Sequence, residues 1–151
     1  MTFLLDTNIL VHILRNKRTY FEHTFQINNP ENRLIISAVT IGELRSFALQ
    51  NKWGERKQQQ METLIKEFFV VEINNDSIHH RYAEIDTYSQ DKLDGRPLSI
   101  SARNMGKNDL WIAATASVFN ATLLTTDNDF DHLDTVFLSV PKIDLVKLAQ
   151  Y

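Results

Sequence analysis

Four carboxylates stand where chemistry could be done: Asp6, Glu43, Asp109 and Asp127. The apolar run Phe3-Leu4-Leu5 leads straight into Asp6, the chain turns at Thr7-Asn8, and a helical pattern starts with Ile9-Leu10-Val11. Glu43 falls in the first turn of a predicted helix, Asp109 opens another, and Asp127 follows a short strand and Thr126. Each acid taken singly has a structural use. Asp6 could cap the helix behind it, and Thr40-Ile41-Gly42-Glu43 fits a capping box. Asn108-Asp109 fits an N-cap followed by an acid that complements the helix dipole, and Asp127 could open an Asx turn. Taken together they say more. Strands that feed helices place Asp6 and Asp127 on one edge of a sheet, where the crossover helices also begin. Asp109 shares a helical face with Ile112, Ala113 and Ala116, and Glu43 shares one with Phe47. Carboxylates converging on a half-buried pocket repel and take up protons unless something neutralises them. Mg²⁺ or Mn²⁺, hard cations that prefer oxygen ligands, would do so.

Other chemistries fit less well. Asp127-Asn128-Asp129-Phe130-Asp131 resembles a calcium loop, but an EF-hand needs Gly at its sixth position and Glu at its twelfth. His132 and Leu138 stand there instead. The histidines are scattered, with His79-His80 inside a helical pattern and His132 in a loop, and no pairing suits zinc. With no cysteine in the chain, disulfides and thiolate metal sites are excluded, which fits a reducing cytoplasm.

The elements that must position the acids alternate. Strands are predicted at Phe3–Leu5, Leu34–Ser37, Val70–Ile73, Thr122–Thr125 and Val136–Leu138. Helices are predicted from Ile9, over Thr19–Gln26, Val39–Asn51, Glu55–Phe69, Asp76–Leu93 and Asn108–Phe119, with a short one closing the chain. Asn28–Asn32 reads as a turn cluster. Asp94–Lys107, with Gly95, Pro97 and Gly106, breaks periodicity and is longer than most connections. The pattern predicts one α/β domain over residues 1–151, a three-layer α/β/α sandwich around a mainly parallel sheet.

No apolar run approaches the ~20 residues that span a bilayer, and no secretory leader is visible, so no membrane association is expected. The net charge of -3 excludes a general electrostatic grip on nucleic acid, leaving phosphate contacts to metal ions or a local basic patch. Two such groups exist: Arg15, Lys17 and Arg18, and Arg96, Arg103 and Lys107.

Leu4-Leu5-Asp6-Thr7-Asn8, Thr40-Ile41-Gly42-Glu43-Leu44, Asn108-Asp109-Leu110-Trp111-Ile112-Ala113-Ala114 and Leu124-Thr125-Thr126-Asp127-Asn128-Asp129-Phe130, in that order, resemble a PIN-domain nuclease. The resemblance is strongest to the VapC toxins of type II toxin–antitoxin modules, and it spans essentially the whole chain. It implies a metal-dependent endoribonuclease acting on RNA in the cytoplasm, restrained by a cognate antitoxin protein and commonly homodimeric. It also implies that Asp6, Glu43, Asp109 and Asp127 hold Mg²⁺ or Mn²⁺, with Asp129 assisting and Thr7, Asn8 and Thr126 as polar neighbours. The aromatic residues Tyr20, Phe21 and Phe25 could serve a dimer interface or the core. A PIN ribonuclease of RNA processing, or an inactive PIN-like binding module, are the alternatives. A haloacid-dehalogenase-like phosphatase would need a second Asp two positions after Asp6, where Asn8 stands.

Overall fold

Short apolar strands flanked by amphipathic helices can bury both of their faces only if helices cover both sides of the sheet. The computed structural model, which describes residues 1–151, has that arrangement. Strands β1 (Thr2–Leu5), β2 (Arg33–Ser37), β3 (Phe69–Val71) and β4 (Thr122–Leu124) form one sheet in the order β3-β2-β1-β4. Every pairing is parallel. The helices are α1 (Thr7–His12), α2 (Arg18–Phe25), α3 (Ala38–Gln50), α4 (Glu55–Ile65), α5 (Asp76–Ser89), α6 (Lys107–Val118) and α7 (Leu145–Gln150).

Strand pleating divides the core in two. Phe3 and Leu5 of β1, Ile36 of β2 and Leu124 of β4 face one side, packing with residues of α1, α2, α3, α4 and α7. Leu4, Ile35 and Leu123 face the other, against α5 and α6. On α6, Ala113, Ala114 and Ala116 are fully buried, and their small side chains let that helix lie along α5 and under the sheet. The expected three-layer α/β/α sandwich is what forms. Tyr20 and Phe21 are core residues, 1% and 0% exposed, so they are not available to a dimer interface. Phe25 packs edge-on against Phe3.

Several boundaries move. Val136–Leu138 is not a strand: Thr135 is left-handed (φ 63°) and Asp134 accepts from the Val140 amide, so the chain turns sharply there. Only isolated bridges, Thr122 to Ser139 and Asp134 to Leu138, remain. Helix α4 stops at Ile65 and β3 already begins at Phe69. Helix α5 stops at Ser89, because left-handed Asp91 (φ 57°) reverses the chain and its carboxylate accepts from the Leu98 amide. Between His12 and α2 the chain kinks within Ile13–Lys17, where Arg15 (φ −92°, ψ 25°) and left-handed Asn16 (φ 64°, ψ 28°) leave helical geometry. The segment 94–106 is tied back by the Arg103 amide, which donates to the Ser89 carbonyl, and by buried Met105. Its Arg96 stacks over the Phe137 ring.

Candidate active site

The strand order makes the chain leave β1 toward β2 and return on the opposite side as β4. The sheet's switch point therefore lies between β1 and β4, where open α/β sheets form their crevice. Leu5 pairs with Leu124, so Asp6 and Thr125 are the next neighbours past the ends of the two strands. The Asp6 amide donates to the Leu124 carbonyl at 3.0 Å.

Asp6 is 5% exposed and both of its carboxylate oxygens accept hydrogen bonds. Oδ1 accepts from the Thr7 amide at 2.7 Å. Oδ2 accepts from Thr125 Oγ1 at 2.7 Å and from Asn8 Nδ2 at 3.0 Å. Thr125 Oγ1 accepts from the Asp127 amide in turn, and Asn8 Oδ1 accepts from the Thr126 amide. Asn8 and Thr125 thus lock the ends of β1 and β4 to each other. The supporting hydroxyl is that of buried Thr125; Thr126, expected in that role, contributes its backbone amide.

Glu43 is held from α1, not from its own helix: Thr7 Oγ1 donates to Glu43 Oε1 at 2.7 Å. The capping box does not form. Ser37 caps α3, accepting from the Val39 amide, so Glu43 sits in the second turn. Helix α6 starts after Gly106, which leaves Asn108 inside the helix and Asp109 as its third residue. Asp127 does open a turn, its Oδ1 accepting from the Asp129 amide at 2.9 Å. Carboxylate oxygens of Asp109, Asp127 and Asp129 lie within 4.8 Å of one another.

The expected acids therefore come together. Asp6, Glu43, Asp109 and Asp127, with Thr7 and Asn8, line one cleft of about 420 Å³, and Asp129 stands beside it. Burial raises the carboxyl of Asp109 most, and the charges of Asp6, Asp127, Glu43 and Asp129 add to it, taking it from an ordinary 3.8 to about 7. Burial likewise raises Asp6 to about 6, against the hydrogen bonds from Thr125 and Thr7, with Glu43 and Asp127 pushing it further up. A crowded set of carboxylates held short of full ionisation is a site that a hard divalent cation would relieve. The donors fit: all are carboxylate oxygens, three of them already grouped.

Four further residues line the cleft: Val11, His12, Arg15 and Phe47. Nothing in the spacing separates Arg15 from Lys17 and Arg18; only the kink after α1 does. Burial, with the charges of Arg15 and Lys17, holds His12 below its usual range. Elsewhere Asp131 turns away to Lys142, and His132 stacks on Tyr88 with its Nε2 2.7 Å from Ser89 Oγ, so neither belongs to the acidic group.

The chain is similar in sequence and fold to known proteins. The sequence profile of the family described as PIN domain matches residues 3–136. Ribonuclease VapC1 of Haemophilus influenzae strain R2866 is 30% identical over 125 residues, covering 83% of this chain and 86% of that protein. Ribonuclease VapC2 of Rickettsia felis is 25% identical, covering 91% of this chain and 96% of that protein. Among solved structures, a chain of VapBC-1 from nontypeable Haemophilus influenzae superposes with a TM-score of 0.72 at 27% identity, covering 94% of this chain and 98% of that one. A chain of VapBC2 from Rickettsia felis, bound to a DNA fragment from its promoter, gives 0.77 at 22% identity, over 95% of this chain and 100% of that one, which speaks to the fold alone.

Proposed function

The chain belongs to the PIN domain family, and on that premise we propose that it is a VapC-type endoribonuclease whose catalytic centre is Asp6, Glu43, Asp109 and Asp127. The observation that carries the assignment is the meeting of these acids at the β1/β4 switch point, with Asp109 pushed up to about 7. Asp6, Glu43, Asp109 and Asp127, helped by Asp129, would hold Mg²⁺ or Mn²⁺. Such an ion, when bound, lowers the pKa of a coordinated water and stabilises charge on the departing oxygen of an RNA phosphodiester.

The chain's own part is preorganisation. Asp6 cannot rotate, because three donors fix its two oxygens. Thr7 fixes one oxygen of Glu43 and leaves the other free to face the cleft. Asn8 and the Thr126 amide hold the β4 end in register, so Asp127 keeps its place relative to Asp6. Buried Phe130 and Leu133 anchor the turn that presents Asp127 and Asp129.

The relatives also bear on biology. Solved neighbours are VapBC complexes, from which we take this chain to be the toxin of such a pair, acting in the cytoplasm and restrained by a cognate antitoxin. No helix is long and apolar enough to cross a membrane. The test is cleavage of RNA by the purified protein with Mg²⁺ or Mn²⁺, with EDTA, and with Asp6→Asn or Asp109→Asn. Cleavage should need the ion and both acids, and co-expression with the product of an adjacent small reading frame should suppress it. Undiminished cleavage in EDTA or by either variant would overturn the assignment.

A further inference from the structure

We propose that Arg15 is the residue that grips the RNA backbone at this cleft, its guanidinium engaging a phosphate beside the one over the carboxylates. The inference rests on the ribonuclease reading above. RNA brings a negative charge with every nucleotide, and the cleft is lined by four carboxylates, so phosphates there meet repulsion that a metal ion offsets only locally. Arg15 is the one Lys or Arg among the lining residues.

Its neighbours in sequence are already committed. Lys17 Nζ donates to the Ala149 carbonyl at 3.1 Å, and Arg18 pairs with Glu67 at 2.7 Å. Arg15 takes part in none of the five ion pairs of the protein and is exposed. A guanidinium near several carboxylates that closes an ion pair with none of them keeps its donors free for an incoming anion.

The backbone aims it. Arg15 (φ −92°, ψ 25°) and left-handed Asn16 leave helical geometry at the end of α1, so residue 15 does not continue round the helix. Asn is among the few residues that adopt this conformation without large strain. The guanidinium carbon lies 6.0 Å from the ring centroid of Phe47, which is one turn beyond Glu43 on α3 and lines the same cleft. That contact keeps the side chain over the cleft and spares its N–H groups. The fork of an arginine matches two phosphate oxygens, which a lysine cannot do.

The experiment compares Arg15→Ala and Arg15→Lys with wild type in Mg²⁺, using a fluorescent single-stranded RNA. KM should rise about ten- to a hundredfold in the alanine variant, with kcat changed far less, and lysine should recover only part of the loss. Binding is also measured in the cleavage-deficient Asp109→Asn background, with and without Arg15→Ala. There the slope of log K against log salt should fall by about 0.7, one phosphate contact on a single strand. Equal KM, equal Kd and equal salt slopes would overturn the role of Arg15 and leave the ribonuclease reading standing. Failure of wild type to cleave RNA at all would instead remove the reading beneath it. Because Arg15 is exposed and unpaired, its variants should unfold at the wild-type temperature; a large drop would give it a structural role and count against the proposal.

Discussion

Asp109→Asn should abolish cleavage while making the metal-free protein more stable, and the gain should depend on pH. The carboxyl of Asp109 is raised from 3.8 to about 7, so between those values the native state holds a proton that the unfolded chain has released. Stability therefore falls as pH rises through that window. A shift of roughly three units at about 1.4 kcal/mol each sets a ceiling near 4 kcal/mol. Asp109 is only half-buried, and solvent screening brings the expectation down to about 1–2 kcal/mol. Asparagine keeps the shape and removes the charge. Urea unfolding in EDTA should show the variant ahead by that amount at pH 8, by most of it at pH 5, and by next to nothing near pH 3.5. Saturating Mg²⁺ should then reverse the order at pH 8, since an ion at about a hundredfold its Kd adds about 2.7 kcal/mol to the protein that binds it. A variant less stable than wild type at pH 8 in EDTA, or a gain unchanged between pH 3.5 and pH 8, would refute the claim that burial and the neighbouring carboxylates together hold Asp109 short of ionisation.

Thr125→Val removes the hydroxyl that donates to Asp6 and accepts from the Asp127 amide, and it should cost about 1–3 kcal/mol with about a tenfold loss in kcat/KM. Thermal unfolding beside a cleavage assay checks both; an unchanged melting temperature would mean that the bridge contributes nothing. Gly42→Ala should stabilise by about 0.5–1 kcal/mol, because Gly42 lies inside α3 and nothing stands within 4 Å of the added methyl. A loss in urea unfolding would show that Gly42 is not free of constraint.

Fold class was legible because two periodicities alternate along the chain. Runs such as Leu34-Ile35-Ile36, apolar on both faces, declare a covered parallel strand, and the structure buries Ile35 and Ile36 in opposite cores. Element ends were less legible. Left-handed Asn16, Asp91 and Thr135 terminate elements by backbone conformation, and none is the glycine that would signal such a stop. Val136-Phe137-Leu138 has strand composition, yet Thr135 and the Asp134–Val140 hydrogen bond turn the chain before it can pair. In the candidate site the acids showed in the sequence because each falls where a predicted strand ends or a predicted helix begins, and those places share one edge of a parallel sheet. Their supports did not. Choosing Thr125 over Thr126 needs the β1/β4 register, and separating Arg15 from Lys17 and Arg18 needs the turn after α1, both fixed by tertiary pairing.

Capping and site chemistry are compatible roles for one acid, and the structure shows why. In a parallel sheet a strand's carboxyl end is also the start of the next helix, so one residue answers to both demands. Asp6 caps α1 through Oδ1, which accepts from the Thr7 amide, while Oδ2 is fixed by Asn8 and Thr125 at the edge of the cleft. Asp127 caps its short turn through Oδ1 in the same way, with a carboxylate oxygen in reach of Asp109 and Asp129. A cap orients a carboxylate by a backbone amide, and an amide set by the fold is a firmer guide than a flexible side chain. Glu43 shows the contrast: it caps nothing, and its orientation depends on the Thr7 hydroxyl, the single contact that fixes it. The positive ends of the helix dipoles also lie at this edge, which favours negative charge there before any cation arrives. The caps of Asp6 and Asp127 fix those two acids at the cleft that Glu43 and Asp109 also line, which is what a cation-binding site requires of them.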